Sequence, residues 1–198
     1  MPDTDTDENL LERARAGDED AFLSIYTRHR DAMYRFASRL LGSQAIAEDV
    51  AHDCFLSLFK HPERFDATRG ASLRTYLFAA VRNLAMKQFR RAGREMWSDC
   101  ETVEEFRAPV AEEPLSRLLE AELSGVVREA VASLPALQRE VLLLFEFEDL
   151  SLAEIAVVVE AEVNTVKSRL ARARAGLRRT LAPYLEERAA AVVGASEK

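Results

Sequence analysis

The reactive groups of this sequence are arginines and lysines rather than nucleophiles. Residues 72–94 hold Arg74, Arg82, Lys87, Arg90, Arg91 and Arg94 and no acid. Residues 164–182 hold Lys167, Arg169, Arg172, Arg174, Arg178 and Arg179, again without an acid. Cations in a row with no carboxylate between them suit a polyanion, because each one placed on a phosphate releases condensed counterions. The whole chain points the other way, with 27 basic and 34 acidic residues and a net charge of −7. Local potential, not net charge, sets where a polyanion docks. The acid is gathered elsewhere: residues 95–163 hold 17 acidic groups against 4 basic ones. One basic window reads equally well as a solvated helix face; two acid-free windows weigh toward phosphate.

Catalytic and metal chemistry lack the residues they need. The histidines are His29, His52 and His61, and the cysteines are Cys54 and Cys100. His52 and Cys54 are two apart, which on a helix sends them to different faces. No Cys-x-x-Cys spacing, nucleophile motif or phosphate loop occurs. Two cysteines do not make a disulfide scaffold; Cys54 reads as core and Cys100 as an idle thiol. The expectation is a protein that is not an enzyme, with no cofactor, metal or small-molecule substrate. The opening MPDTDTDENL is acidic and has no apolar h-region, so it is not a signal peptide. No 18-residue apolar run is present, which argues against membrane insertion and for the cytoplasm.

The elements that carry the cations read as helices. Apolar residues make up 48% of the chain, and its 7 glycines and 6 prolines favour helices over hairpins. From Asp18 to Leu41 the positions Phe22, Ile25, Tyr26, Met33, Phe36, Ala37 and Leu40 follow the i, i+3, i+4 rule. Gly42 closes that helix, and Ser43 is placed to cap the next. Residues 44–60 carry Ile46, Val50, Cys54 and Leu58 on one stripe with Phe55 and Phe59 beside it, and Pro62 ends the run. Asp49, His52, Asp53 and Leu56 share another face of this helix at i, i+3, i+4 and i+7. Ser72 caps a third helix through Leu73, Leu77, Val81, Leu84 and Phe89, which carries the first basic window.

Periodicity then fails. Residues 93–113 read as an acidic linker. Pro114 opens a second half, with helices expected at 115–132 and 136–148. Ser151-Leu-Ala-Glu154 is a capping box, so a short helix starts near Leu152 and ends near Val159. A last helix spans about 163–182, and residues 185–198 read as a tail. The expected architecture is all-α: two small helical domains, 1–92 and 114–184, joined by a flexible acidic linker.

A short capped helix, a tight turn and a helix basic on one face make a helix-turn-helix, whose second helix fits the major groove. Val163, Val166, Leu170, Ala173 and Leu177 recur at 3, 4, 3, 4 and form the expected buried stripe. Asn164, Lys167, Ser168, Ala171 and Arg172 then point outward together. The small Ser168 and Ala171 let the backbone approach base edges, and Lys167 and Arg172 reach guanine or phosphate. Arg169, Arg174, Arg178 and Arg179 lie to the sides, where phosphate contacts are expected.

The segments LPALQREVLLLFEFEDLSLAEIA and NTVKSRLARARAGL resemble the region-4 domain of bacterial sigma factors, the promoter-specificity subunits of RNA polymerase. The nearer match is the small extracytoplasmic-function (ECF) group. AEDVAHDCFLSLFKHPERFD and RGASLRTYLFAAVRNLAMKQFRR resemble region 2 of the same family. The resemblance implies that Asn164, Lys167, Ser168, Arg169, Ala171, Arg172 and Arg174 serve the −35 element. It implies −10 contacts for Asn83, with Arg82, Lys87, Arg90 and Arg91 on the strand, and a base-enclosing loop at 65–72. It further implies that Asp49, His52, Asp53 and Leu56 dock on the clamp helices of the polymerase β′ subunit. The other expected partners are the β flap, promoter DNA and an anti-sigma factor, which could hold the protein at the membrane.

The sequence departs from the family pattern at five places. Glu160 stands where the turn usually has glycine, and Asn164 where glycine precedes Thr-Val-Lys. His52 replaces a glutamine, Lys87 an aspartate and Tyr76 a tryptophan. Two rival readings remain at this level: a LuxR-type regulator, which would share the helix-turn-helix but not region 2, and a helical interaction module without DNA function.

Overall fold

The computed structural model describes residues 5–66, 70–91 and 125–195. Those residues are helical and contain no strand. The 93–113 linker, the region around Pro114, and Cys100 lie outside the described residues. The first half holds α1 (Asp7–Arg15), α2 (Glu19–Leu41), α3 (Gln44–Lys60), a 3-10 turn (Pro62–Arg64) and α4 (Leu73–Arg91). The second holds α5 (Gly125–Ser133), α6 (Ala136–Glu146), α7 (Leu152–Val159) and α8 (Val163–Ala195).

Helix ends follow local chemistry. Asp18 caps α2 by accepting from the Ala21 N–H at 3.1 Å, and Gly42 ends it in the left-handed conformation at φ 70°. Ser72 Oγ accepts from the Thr75 N–H at 3.1 Å and starts α4. Ser43 occupies the cap of α3 but makes no side-chain capping bond, contrary to expectation. The last helix runs to Ala195, past the expected end near 182 and through Pro183. A proline interrupts only the local ladder, and the alanine-rich sequence beyond it has high helix propensity.

α1 carries no expectation from the apolar periodicity, because only Leu10 and Leu11 of it are buried. Its signals are a Thr6 cap, whose side chain accepts from the Asn9 N–H, and acids in the first turn. Polar contacts hold it in place. Asp7 bonds Arg28 at 2.6 Å and the buried His29 at 2.8 Å on α2. Arg15 donates to the carbonyl oxygens of Pro62 and Phe65 at 2.7 and 2.6 Å.

α2 is the central helix of the first half, with α1, α3 and α4 packed on it. Edge-to-face pairs Tyr26–Phe55 (5.0 Å) and Phe36–Phe78 (5.4 Å) lock it to α3 and α4. Cys54 is core, as expected, and burial pushes its thiol up to about 12. Ile46 and Phe59 depart from the expected buried stripe of α3 and are exposed. Phe59 instead meets Phe22 edge-to-face, with ring centroids 4.9 Å apart, at the edge of the α2–α3 pair.

In the second half α8 packs against α5, α6 and α7. Gly176 allows its close approach: a Cβ there would lie 2.9 Å from Leu134 Cδ2. The two halves are themselves in contact, α4 on α7 and α2 on α6, and their buried apolar residues form one continuous core. This explains α6, where Arg139, Glu140, Val141, Leu142, Leu143 and Leu144 are all buried. A helix buried all round is one sandwiched between layers.

The Asp7 attachment yields a prediction. Burial alone would raise the Asp7 carboxyl, but the hydrogen bonds and charges of His29 and Arg28 outweigh it and hold it below 3.8. A depressed carboxylate stabilises the fold above its unfolded pKa, and that contribution is lost as pH falls through the folded value. Asp7→Asn is therefore expected to lower unfolding free energy by about 1–2 kcal/mol at pH 7 in urea melts. The gap from the wild type should close as pH is taken below 3.8.

Candidate nucleic-acid and polymerase interfaces

The helix-turn-helix is built from its caps outward. Ser151 Oγ accepts from the Glu154 N–H at 3.2 Å, while Glu154 Oε2 accepts from the Ser151 N–H at 2.9 Å. The capping box is complete, and the hydrogen bonds from Ser151 hold the Glu154 carboxyl below its ordinary range. α7 ends at Glu160 with φ 53° and ψ 47°, so the glutamate occupies the left-handed turn position that glycine fills without strain. The Ala161 N–H closes the turn on the Ala156 carbonyl at 3.0 Å.

On α8 the structure brings the outward set together. Asn164, Lys167 and Ser168 are exposed, with Ala171 and Arg172 half-buried one turn on. The Ser168 hydroxyl donates to the Asn164 carbonyl at 3.0 Å. The opposite stripe of Val166, Leu170, Ala173 and Leu177 is buried, as expected, but Val163 is 37% exposed. It sits at the first position of α8, before any neighbouring helix covers that face. Arg178 and Arg179 are exposed.

Two flanking cations are paired with carboxylates of α6. Arg174 brackets Glu146 on α6, with Nε at 2.9 Å and Nη2 at 2.7 Å from Oε1, and lies 5.2 Å from the Phe145 ring. Arg169 is 8% exposed and lies 3.9 Å from Glu140 Oε1.

α4 separates its residues in the same way. Asn83, Lys87, Arg90 and Arg91 are exposed at i, i+4, i+7 and i+8, one continuous face. Arg82 points elsewhere. It is 6% exposed and reaches across to α6, with Nε 2.7 Å from Glu140 Oε2 and Nη2 3.4 Å from Oε1. Arg82 is one position from Asn83, and one position along a helix turns a side chain by about 100°, which carries it into the second half.

Glu140 thus receives a cation from each basic window, Arg82 from α4 and Arg169 from α8. It is fully buried, and burial pushes its carboxyl up to about 7 against the pull of those two arginines. A second carboxylate, Glu148, is also buried, with Arg39 and Arg74 each 3.7 Å away. Burial raises it as well, against the pull of Arg35, Arg39 and Arg74. Arg74 also donates to the Glu148 carbonyl at 2.6 Å, and Arg39 lies 4.2 Å from the Phe147 ring. Arg139 completes the contact by donating to the carbonyls of Leu40, Ala132 and Leu134. No role was expected for Glu140, Glu148, Arg139 or Arg15, although the first three lie in the segment that resembles region 4. The one available signal was a charged pair, Arg139-Glu140, inside an apolar run.

On α3, Asp49, His52 and Asp53 are exposed and Leu56 half-buried, a single face. His52 also lines an open groove between α2 and α3, with Tyr26, Arg30, Tyr34, Glu48 and Phe55. Among the described residues no group of three His, Cys, Asp or Glu is placed to hold a metal ion. None of the described helices is long and apolar enough to cross a membrane.

Residues 25–95 match the family model for sigma-70 region 2, and residues 124–177 match sigma-70 region 4. The ECF RNA polymerase sigma factor SigW of Bacillus subtilis is 30% identical over 178 residues, covering 86% of this chain and 94% of that protein. The chain belongs to the ECF group of the sigma-70 family. RNA polymerase sigma-H factor of Pseudomonas aeruginosa is 31% identical, over 91% of this chain and 96% of its own. The sigma factor RpoE of Bartonella quintana, solved in complex with the anti-sigma factor NepR, superposes with a TM-score of 0.62 at 27% identity. That match covers 81% of this chain and 96% of RpoE. The region-2 match removes the LuxR-type reading, and the family is not enzymatic.

In this sigma factor the turn glutamate is strained. Glu160→Gly is expected to raise the unfolding free energy by about 1 kcal/mol, since glycine meets no Cβ penalty at positive φ. Thermal or denaturant unfolding checks it; an unchanged or lowered midpoint would show that the glutamate side chain offsets the strain.

Proposed function

We propose that this ECF sigma factor reads the −35 element with the exposed face of α8 and the −10 element with the exposed face of α4. The protein is an alternative sigma factor that directs transcription initiation; the residue-level assignment is our reading. The observation that carries it is the pairing, in one chain, of two acid-free cation faces on helices matched to regions 4 and 2.

On α8, Lys167 and Arg172 are long enough to reach guanine edges or phosphates, while Ser168 and Ala171 keep the helix surface low. Asn164 stands at the helix N-terminus, where the helix dipole favours a phosphate. On α4, Asn83 is the base-reading residue, and Lys87, Arg90 and Arg91 follow the strand. Arg82, Arg169 and Arg174 join these faces once they leave their carboxylate partners. Asp49, His52, Asp53 and Leu56 on α3, with the adjoining groove, form the docking face for the β′ clamp helices of core polymerase, and the second half docks on the β flap. An anti-sigma factor that covers these surfaces fits the same reading. So does a cytoplasmic location, at the nucleoid with polymerase or held near the membrane by that partner.

Run-off transcription with core polymerase on a cognate promoter tests the reading. Lys167→Ala and Arg172→Ala are each expected to reduce promoter-specific output about tenfold, the loss of one good base or phosphate contact. Normal output from both variants would refute the α8 assignment. Permanganate reactivity of thymines near −10 should appear only with polymerase present and weaken in Asn83→Ala; full reactivity in that variant would remove Asn83 from the −10 site.

A further inference from the structure

We infer that Arg15 of α1 is a positioning residue for −10 recognition: it holds the Pro62–Arg64 turn and Phe65 beside the base-reading face of α4. The inference rests on the assignment of α4 to the −10 element. A lone helix presents a convex surface, whereas an unstacked base needs a shaped pocket and so a second wall. The turn supplies that wall. Phe65 is buried and meets Tyr76 of α4 edge-to-face, with ring centroids 5.5 Å apart. Tyr76 stands seven residues before Asn83, so the two share a face of α4 about 10 Å apart along its axis. Between them on that face are Ala79 and Ala80, half-buried side chains that keep the surface low.

Arg15 fixes where the wall stands. Its Nη2 donates to the Pro62 carbonyl at 2.7 Å and to the Phe65 carbonyl at 2.6 Å, and its Nε reaches the Pro62 oxygen at 3.3 Å. One charged donor thus bridges both ends of the turn and sets their spacing, through bonds stronger than neutral ones. α1 has other attachments. Leu10 and Leu11 are buried, and Asp7 ties α1 to Arg28 and His29 of α2 at 2.6 and 2.8 Å. α1 is therefore the fixed partner, and the turn is what Arg15 holds. The Arg15 side chain itself stays exposed and fills no part of the core. Its effect on the −10 face passes through the turn backbone and the Phe65 ring.

The test uses full-length chains bound to core polymerase: wild type, Arg15→Met and Arg15→Lys. The probes are fork-junction DNAs from a cognate promoter with a single-stranded −10 element. One probe is intact, and one is abasic at the −10 position where wild type discriminates most. The ratio of the two affinities reads base capture. Arg15→Met keeps the apolar stem and removes the donors. It is expected to keep its helices by circular dichroism and its affinity for core polymerase, and to lose about tenfold of the preference for the intact base. Arg15→Lys should restore most of that preference, because one nitrogen makes both short bonds and an ammonium carries three donors. A merely structural role would weaken both probes equally and leave the ratio alone. An unchanged ratio in Arg15→Met therefore overturns the inference, as does a lowered ratio that Arg15→Lys fails to raise. If Arg15→Met loses its helices, the shorter and neutral Arg15→Gln decides on the same ratio. Asn83→Ala is run beside these. A wild type that does not discriminate, or a ratio untouched by Asn83→Ala, removes the −10 reading itself, whereas a ratio that depends on Asn83 and not on Arg15 removes only this inference.

Discussion

A carboxylate buried between two arginines from different halves of the chain is the constraint on which the arrangement of this protein depends. Removing Glu140 from water has a desolvation cost that only close cations offset, and Arg82 and Arg169 are positioned to do so. Such a group adds little net stability compared with an apolar side chain of similar size. Its effect is on specificity: an apolar α6 could slide or rotate on α2 and α4, whereas a charge that must meet two guanidinium groups accepts one register. Arg139 fixes the same helix a second way, through three backbone carbonyls that span both halves. The continuous apolar core supplies the bulk of the attraction, and these polar contacts select the one packing it adopts.

The same contact resolves the contradiction between net charge and partner. A chain of net −7 is a poor ligand for DNA taken whole, and the acid is not spread evenly. Part of it sits opposite the basic windows: Glu140, Glu146 and Glu148 together engage Arg39, Arg74, Arg82, Arg169 and Arg174. The segregation seen along the sequence becomes pairing in three dimensions. The cations left outward, Lys87, Arg90, Arg91, Lys167, Arg178 and Arg179, are those whose position on each helix turns them away from the other half.

Local features were legible in the sequence and relational ones were not. The α2 boundaries, the Ser72 cap, the capping box and the left-handed turn at Glu160 all follow from side chains acting on backbone within four residues. The outward sets on α3 and α8 follow from helical periodicity. The burial of Arg82 does not, because its neighbours on α4 are equally compatible with an outward or an inward cation; what decides is a glutamate 58 residues away. Ile46, Phe59 and Val163 fail for the converse reason. Apolar periodicity marks what a helix could bury, and the neighbouring helix has to be there to bury it. α1 had too few apolar residues to register, since Asp7 and Arg15 attach it through polar contacts.

The three candidate faces differ in how far they are open. The α3 face remains exposed with the halves together, the outward row of α4 is only partly complete, and α8 lacks Arg169. Separating the halves would part Glu140 from Arg82, whereas Arg169 belongs to the same half and would stay beside it. One buried group thus links the two basic windows, which lie on separate helices. Two independent surface pairs would leave the windows unconnected; a shared carboxylate connects them, because losing either arginine leaves the remaining pair less well compensated. The acid within the second half is accordingly part of how the two basic helices are held, rather than a charge spread against them.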